Sequence, residues 1–524
     1  MSIQERVSGI DFKITLLPCL LVFSFFLYKS IHYPIHDFAN SYFPAKFFVQ
    51  GKFDKTVFDP YLFNKKIAGT GTEGVFASFN PNPPSVGLLF SPLTIVDVHS
   101  AKLIFNGISI CFFLLSIYRI CKYVGIPSTW VYLLLPIVFF IPLRNNILFG
   151  QTYLLLTSLL IEGFLAYEKK NVWISSLWWS FAIFVKIFPL VIFLFLFIRK
   201  EHKQASILFG VCLLLLISFV WLQGMDVWGY YLVEVLPRSS AGDLNSAYTT
   251  GTQSALMLFK FLFVSDEVFN VHSLLNSSTI FFITTGMFTS LVLSLGVSAI
   301  KNDNKWFALA LLLLCAQLMS PQGSSYSIIL LLLMLIAMYP LKSEKIYWIS
   351  LALVFLMANI PISIFQSLPL IFRFPRLLLL ITFFVVVVFT FKIRLNLQWF
   401  IILFLLITTP KVINYLSETD ASTRYVDTEM KSLIIDYSEK NRHLYYTYWS
   451  EQGEKVMETT IQIDLLTDSN VSILDNQLFY QDRQLTHSSD NKKKAMMINS
   501  KEIIYLSDKG KGIGFYAIRK INAP

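Results

Sequence analysis

The stretch Lys169 to Lys200 reads KKNVWISSLWWSFAIFVKIFPLVIFLFLFIRK, an apolar run of roughly 26 residues closed at both ends by basic clusters. A bilayer crossing needs about 20 apolar residues, and its basic flank normally falls on one side only. Here both flanks are basic, and the interior is broken by Lys186 and Pro189. Two half-helices meeting at Lys186–Pro189 account for both features, because non-helical backbone is tolerated at membrane depth only inside protein or beside a wet cavity. The competing reading is one tilted, kinked span. In the broken-pair reading Lys186 stands at the tip, roughly 20 Å above the basic end at about 1.5 Å per residue.

The rest of the chain fits this frame. Of 524 residues, 55% are hydrophobic, 16% aromatic and 15% charged, whereas soluble domains run nearer a quarter charged. Further apolar stretches lie near 14–31, 98–118, 128–142, 147–167, 205–222, 278–300, 306–320, 325–341, 346–366, 377–391 and 397–409. The expected fold is therefore an all-α polytopic membrane protein with about 11–13 transmembrane helices, the broken pair at 172–198 included. Arg119, Lys122, Lys169, Lys170, Arg199, Lys200, Lys203, Lys301, Lys305, Lys342, Lys345, Lys392 and Arg394 all fall in short loops that this count puts on one side, the cytoplasmic one. The first span then acts as a signal anchor with the N-terminus inside. Loops 32–97 and 223–277 are expected outside, as is the tail 411–524, whose strand-like runs such as Leu444 to Trp449 predict a small β-rich or α/β domain. The helical domain is expected to cover 1–410.

The net charge of +10 resides mostly in those short loops, so nucleic acid is excluded as a partner. Cys19, Cys111, Cys121, Cys212 and Cys315 fall in or beside apolar spans without metal-ligand spacing. No cofactor is expected; a divalent metal is compatible with the sequence but not indicated.

Polar residues mark the outer ends of the spans. Asp37 follows the first span, with His36 before it and Tyr42 after it. Phe38, Tyr42, Ala45, Phe48 and Val49 recur at helical spacing up to Gly51, predicting a short amphipathic helix on the membrane surface with Asp37 as its N-cap. Pro81-Asn82-Pro83-Pro84, Phe149-Gly150-Gln151, Gln253, and Tyr326 after Ser320-Pro321 are expected at the same depth as Lys186. A carboxylate, amides, a phenol and an ammonium would thus gather below the outer loops. One base and one cation suit group transfer from a lipid phosphate: the carboxylate takes the acceptor hydroxyl's proton, and the cation meets the leaving phosphate. Asp37 is the candidate catalytic residue. Lys186, with Arg144 and Arg238, is a candidate for the donor phosphate; His36, Tyr42, Gln151, Gln253 and Tyr326 are candidates for the substrate pocket.

The ordered set Asp37 with Tyr42 and Gly51, Pro83-Pro84 before Ser91-Pro92-Leu93, Gly150-Gln151, Lys186-Ile187-Phe188-Pro189, Thr252-Gln253-Ser254 and Ser320-Pro321 resembles glycosyltransferase family 87, polytopic enzymes of the GT-C type. The resemblance covers residues 14 to 340 by motif and does not extend to the tail. It implies a polyprenyl-phosphate sugar donor, mannose first, a lipid-linked or cell-envelope glycan acceptor, inversion, and a place in the bacterial inner membrane. It also implies Asp37 as base and Lys186 with Pro189 as the family's Lys-x-x-Pro element. The chain departs from the family at Thr252, where many members have Asn, and at Ser324-Ser325-Tyr326-Ser327, where many carry Trp and His or Tyr-Asp. The alternative class is a transporter or flippase for lipid-linked saccharides.

Overall fold

The computed structural model describes residues 12–524 except 73, 244–247, 268, 418–423, 427–432, 451–452, 464–470, 489 and 510–511. It is mostly helical, with a small all-β tail. Helices α1 (Phe12–Ile31) and α2 (Ala39–Val49) meet at 75°. The loop that follows carries α3 (Pro60–Ala68), and α4 (Val98–Val124) leaves it, capped by the Asp97 carboxylate on the His99 and Ser100 amides and stopped at the left-handed Gly125. Next come α5 (Ser128–Val138) and α6 (Phe140–Phe149), again bent by 75°, then α7 (Tyr153–Glu168), α8 (Val172–Val185), α9 (Val191–Ile198) and α10 (His202–Gln223). The second half holds α11 (Ala255–Phe263), α12 (Ser278–Ala299), α13 (Lys305–Met319), α14 (Leu331–Met338), α15 (Lys345–Asn359), α16 (Pro375–Thr390) and α17 (Leu397–Ser417).

Among the described residues three helices are alone long and apolar enough to cross a bilayer, or five if each bent pair is one span, and seven more apolar helices are shorter. Three of the expected spans are interrupted: 128–142 at Phe139 between α5 and α6, 147–167 at Gly150–Thr152, and 346–366 after Asn359. Side chains such as Leu214, Trp221 and Phe389 point outward and are mostly exposed, as a lipid-facing surface requires. α13 runs through the centre of the bundle: all ten residues from Trp306 to Cys315 are buried. Close helix approach needs small residues. A Cβ on Gly163 would fall 2.2 Å from the Trp179 indole, so glycine is what lets α7 and α8 touch.

The segment 172–198 turns back, as the double basic flank predicts. Gln204, at the start of α10, donates to the Val172 carbonyl and the Ser176 hydroxyl at the start of α8, and Phe184 at the end of α8 packs 4.9 Å from Phe219 near the end of α10. α8 and α10 therefore run parallel, and α9 must carry the chain back between them. Tyr167 closes the same end by donating to Glu201 at 3.0 Å.

The loop after α1 departs from the surface-helix expectation. α2 is buried through Ala39, Ser41, Tyr42, Phe43, Ala45 and Phe47, and Val49, assigned to its apolar face, is 62% exposed. The reason is a second aromatic core, in which Phe38, Phe43, Phe47, Phe58, Phe63, Phe79, Trp228 and Tyr231 pack together. Loop 32–97 is a folded layer on the end of the bundle.

The helical domain expected to end at 410 runs on to Ser417, and beyond it the described strands of the tail are all antiparallel. Strands β1 (Arg424–Tyr425), β10 (Ala517–Asn522), β9 (Glu502–Ser507) and β8 (Lys492–Asn499) form one sheet. β2 (Ile434–Lys440), β3 (His443–Ser450) and β4 (Gly453–Gln462) form a second, and β5 (Val471–Leu474), β6 (Gln477–Tyr480) and β7 (Arg483–Gln484) a third. It seats on the aromatic layer: Ile513 joins that core, Tyr61 donates to Glu454, and Tyr425 donates to Asp266 at 3.0 Å. Loops 32–97 and 223–277 and the tail thus lie at one end of the bundle.

Candidate active site

Asp37 does not cap a helix. Residues His36–Phe38 form one tight turn, the residue before α2 is Phe38, and no side chain caps α2. Instead the turn is matched, residue by residue, to Phe149-Gly150-Gln151 at the end of α6. The His36 ring stacks on Phe149 with centroids 4.4 Å apart. Phe38 lies over Gly150, where a Cβ would come within 2.7 Å of the Phe38 Cβ, and Gly150 is left-handed with φ 68°. Gln151 Nε2 donates to Asp37 Oδ2, while His36 Nδ1 lies 3.2 Å from Oδ1. Three adjacent residues of one element fix three of the other, and the carboxylate is left 31% exposed.

Lys186 ends α8 in an extended conformation. Its ammonium donates to Asn82 Oδ1 at 2.8 Å and lies 5.9 Å from the Tyr153 ring centroid. Among the described residues no carboxylate approaches within ion-pairing distance of it. Asn82 is held because its loop is held: Asn80 Nδ2 donates to the Phe58 carbonyl at 3.0 Å, and the Ser85 hydroxyl to the Phe184 carbonyl at 2.7 Å.

Asp37, Gln151, Asn82 and Lys186 line one polar cleft of about 620 Å³, open solvent included. Of the residues singled out from sequence it contains Asp37, Gln151, Lys186 and Tyr326. His36 sits exposed beside the carboxylate rather than in the wall. The other four lie elsewhere. Tyr42 is buried in the aromatic layer, donating to the Val96 carbonyl at 2.8 Å. Gln253 ties the Thr250 and Arg373 carbonyls to the Arg376 amide. Arg144 donates to its neighbour Asn145. Arg238 is buried in the tail junction between Asp243 and Asp508; burial opposes its charge, but the two carboxylates outweigh that and hold the guanidinium firmly protonated.

The cleft also contains Asn82, from the proline-rich stretch expected at this depth, and Gln322, next to Ser320-Pro321; Asn40, Ser78, Asn80 and Thr152 were not singled out in the sequence. Neutral polar residues in a long loop give no periodic signal. The one available clue was the alternation of Asn with Pro at 80–84, which a solvated loop does not need. Among the described residues no group of three or more His, Cys, Asp or Glu side chains is placed to hold a metal ion.

The fold and the cleft together define a bundle of apolar helices with a carboxylate, Asp37, and an ammonium, Lys186, in one polar cleft at its end. Residues 80–321 match the model of glycosyltransferase family 87, a family of glycosyltransferases. The matched stretch contains Asn82, Gln151 and Lys186; Asp37 and the β tail lie outside it. Comparison with curated proteins and with solved structures gave no match.

Proposed function

We propose that the protein transfers a sugar, mannose as the first candidate, from a polyprenyl phosphate to a hydroxyl of a lipid-linked or cell-envelope acceptor at the outer face of a bacterial inner membrane. The observation that carries the reading is the sharing of one cleft by Asp37 and Lys186, with a neutral amide rather than a carboxylate holding the lysine. The acceptor oxygen attacks the anomeric carbon and the bond from that carbon to the phosphate oxygen breaks. The bonding pair leaves with the phosphate, and the acceptor proton passes to Asp37. Lys186 meets the phosphate. Direct displacement inverts the anomeric centre. Gln151 orients the carboxylate, and His36 adds a second contact that keeps it in place.

The test is transfer by purified protein in detergent, with labelled polyprenyl-phosphate hexoses and pentoses and extracted envelope lipids as acceptors. Labelled glycoside is expected, falling about 10²- to 10⁴-fold in Asp37→Asn, which keeps an oxygen for Gln151 but removes the base. Absence of transfer from every donor overturns the reading. Movement of intact lipid-linked saccharide only in sealed vesicles establishes a flippase instead.

A further inference from the structure

With Arg144 and Arg238 engaged elsewhere, Lys186 is the one described cation among the residues lining the cleft. The proposed reaction asks for more. A sugar phosphodiester carries about one negative charge, and cleavage of its sugar–oxygen bond leaves a monoester that tends toward two (second pKa about 6). The growing charge needs a second electropositive partner beside the lysine.

We infer that this partner is the N-terminus of α7, and that the donor phosphate sits between it and Lys186, with the Thr152 hydroxyl as a further donor. The inference rests on the reading of the cleft given above. The first amides of a helix have no partner within it, and the aligned peptide dipoles add about half a positive charge there. α7 is 16 residues long, and no side chain caps it. The capping position is nevertheless occupied by Thr152, a residue type that caps readily. Its hydroxyl is turned away from that role: the residue is 7% exposed, and Oγ1 is buried without a hydrogen-bond partner. A buried hydroxyl left unpaired is costly unless a ligand completes it. Thr152 lines the same cleft as Lys186, and the Lys186 ammonium is 5.9 Å from the ring centroid of Tyr153, the first residue of α7. Helix start, free hydroxyl and an ammonium with no carboxylate partner among the described residues therefore converge on one corner of the cleft. Gln151, the residue before Thr152, holds Asp37. The same turn would orient the base and receive the leaving group.

The test exploits the fact that aspartate is at least as good an N-cap as threonine. Thr152→Asp should keep or raise the melting temperature while placing a carboxylate where the phosphate belongs and offering Lys186 a permanent partner. Binding of a short-chain polyprenyl phosphate and of the matching uncharged polyprenol is measured on the full-length protein. Wild type is expected to prefer the phosphate. Thr152→Val should weaken phosphate binding roughly tenfold, as loss of one hydrogen bond to a charged group does; Thr152→Ser should retain it, and Thr152→Asp should abolish the preference. Polyprenol binding should be unchanged throughout. Wild-type phosphate binding in both Thr152→Val and Thr152→Asp overturns the inference; if Lys186→Ala still weakens binding, the phosphate lies elsewhere and the proposed function stands. A wild-type protein that does not distinguish phosphate from alcohol overturns the proposed function itself.

Discussion

Two carboxylate-and-cation sites lie at the same end of this molecule and are built in opposite ways. At the tail junction Asp508 is fully buried and accepts five hydrogen bonds: two from Arg238, two from Asn491 and one from the Gly514 amide. In the cleft, among the described residues, Asp37 has only Gln151 and His36, and Lys186 is met by a neutral amide. A saturated pair fixes structure, because either charge alone would be stranded in low dielectric. An unsaturated pair costs stability, and under the proposed function its open valences are kept for a ligand. The sequence offers both Arg238 and Lys186 as donor-phosphate candidates; partner count separates them.

Four outcomes would break or sharpen that contrast. The largest is expected for Arg238→Ala, which strands Asp508 and Asp243. It should lower unfolding stability by about 3–5 kcal/mol, read by thermal or chaotrope melts, with phosphate-lipid affinity of the folded fraction unchanged. A loss of that affinity at full stability would return Arg238 to the donor site. Next, Gly150→Ala forces a Cβ against Phe38 at a left-handed position. Misplacing the Asp37 turn by an ångström or so should cost about 100-fold in kcat, with donor binding nearly preserved; an unaltered kcat would show that the matched tripeptides do not set the base. Third, Lys186→Ala should weaken binding of polyprenyl phosphate roughly tenfold, with partial rescue by Lys186→Arg. Unchanged affinity with reduced stability would make the lysine structural.

The smallest effect is the pH dependence of tail stability. Burial would raise the Asp490 carboxyl, but the adjacent Lys492 ammonium and the Ser488 and Ser507 hydroxyls outweigh it and hold it below its ordinary value. A group depressed in the folded state contributes stability above its unfolded pKa, near 3.9. That contribution is lost as pH falls from there through the lower folded value. Acid melts of wild type and Asp490→Asn should converge below that window and diverge above it; parallel curves would remove Asp490 from the account.

Much of this was legible in the sequence. The broken pair announced itself through two basic flanks and a lysine beside proline, since each violates a rule for ordinary spans. Asp37, Gln151 and Tyr326 were visible because polar residues stand out where helices end. The burial of α2 was not legible: aromatic residues suit a membrane surface and a protein core equally, and only the folding of loop 32–97 decides. Tyr42 and Gln253 misled for a related reason, since a polar tip on an apolar body serves a backbone carbonyl as well as a substrate. The tail's strands were readable, but its docking depends on pairings such as Arg238 with Asp508, 270 residues apart, which no local pattern encodes.

The returning segment at 172–198 has a consequence for parity. Had it passed straight through, every later helix would run the opposite way, and the loop carrying Arg238 would emerge at the far end from the loop carrying Tyr61. Glu454 and Asp508 could not then both find their partners, since the tail reaches Tyr61 and Arg238 together. One turn at Lys186 thus makes the second half of the chain commensurate with the first. Straightening that hairpin would invert half the protein rather than merely disturb a site.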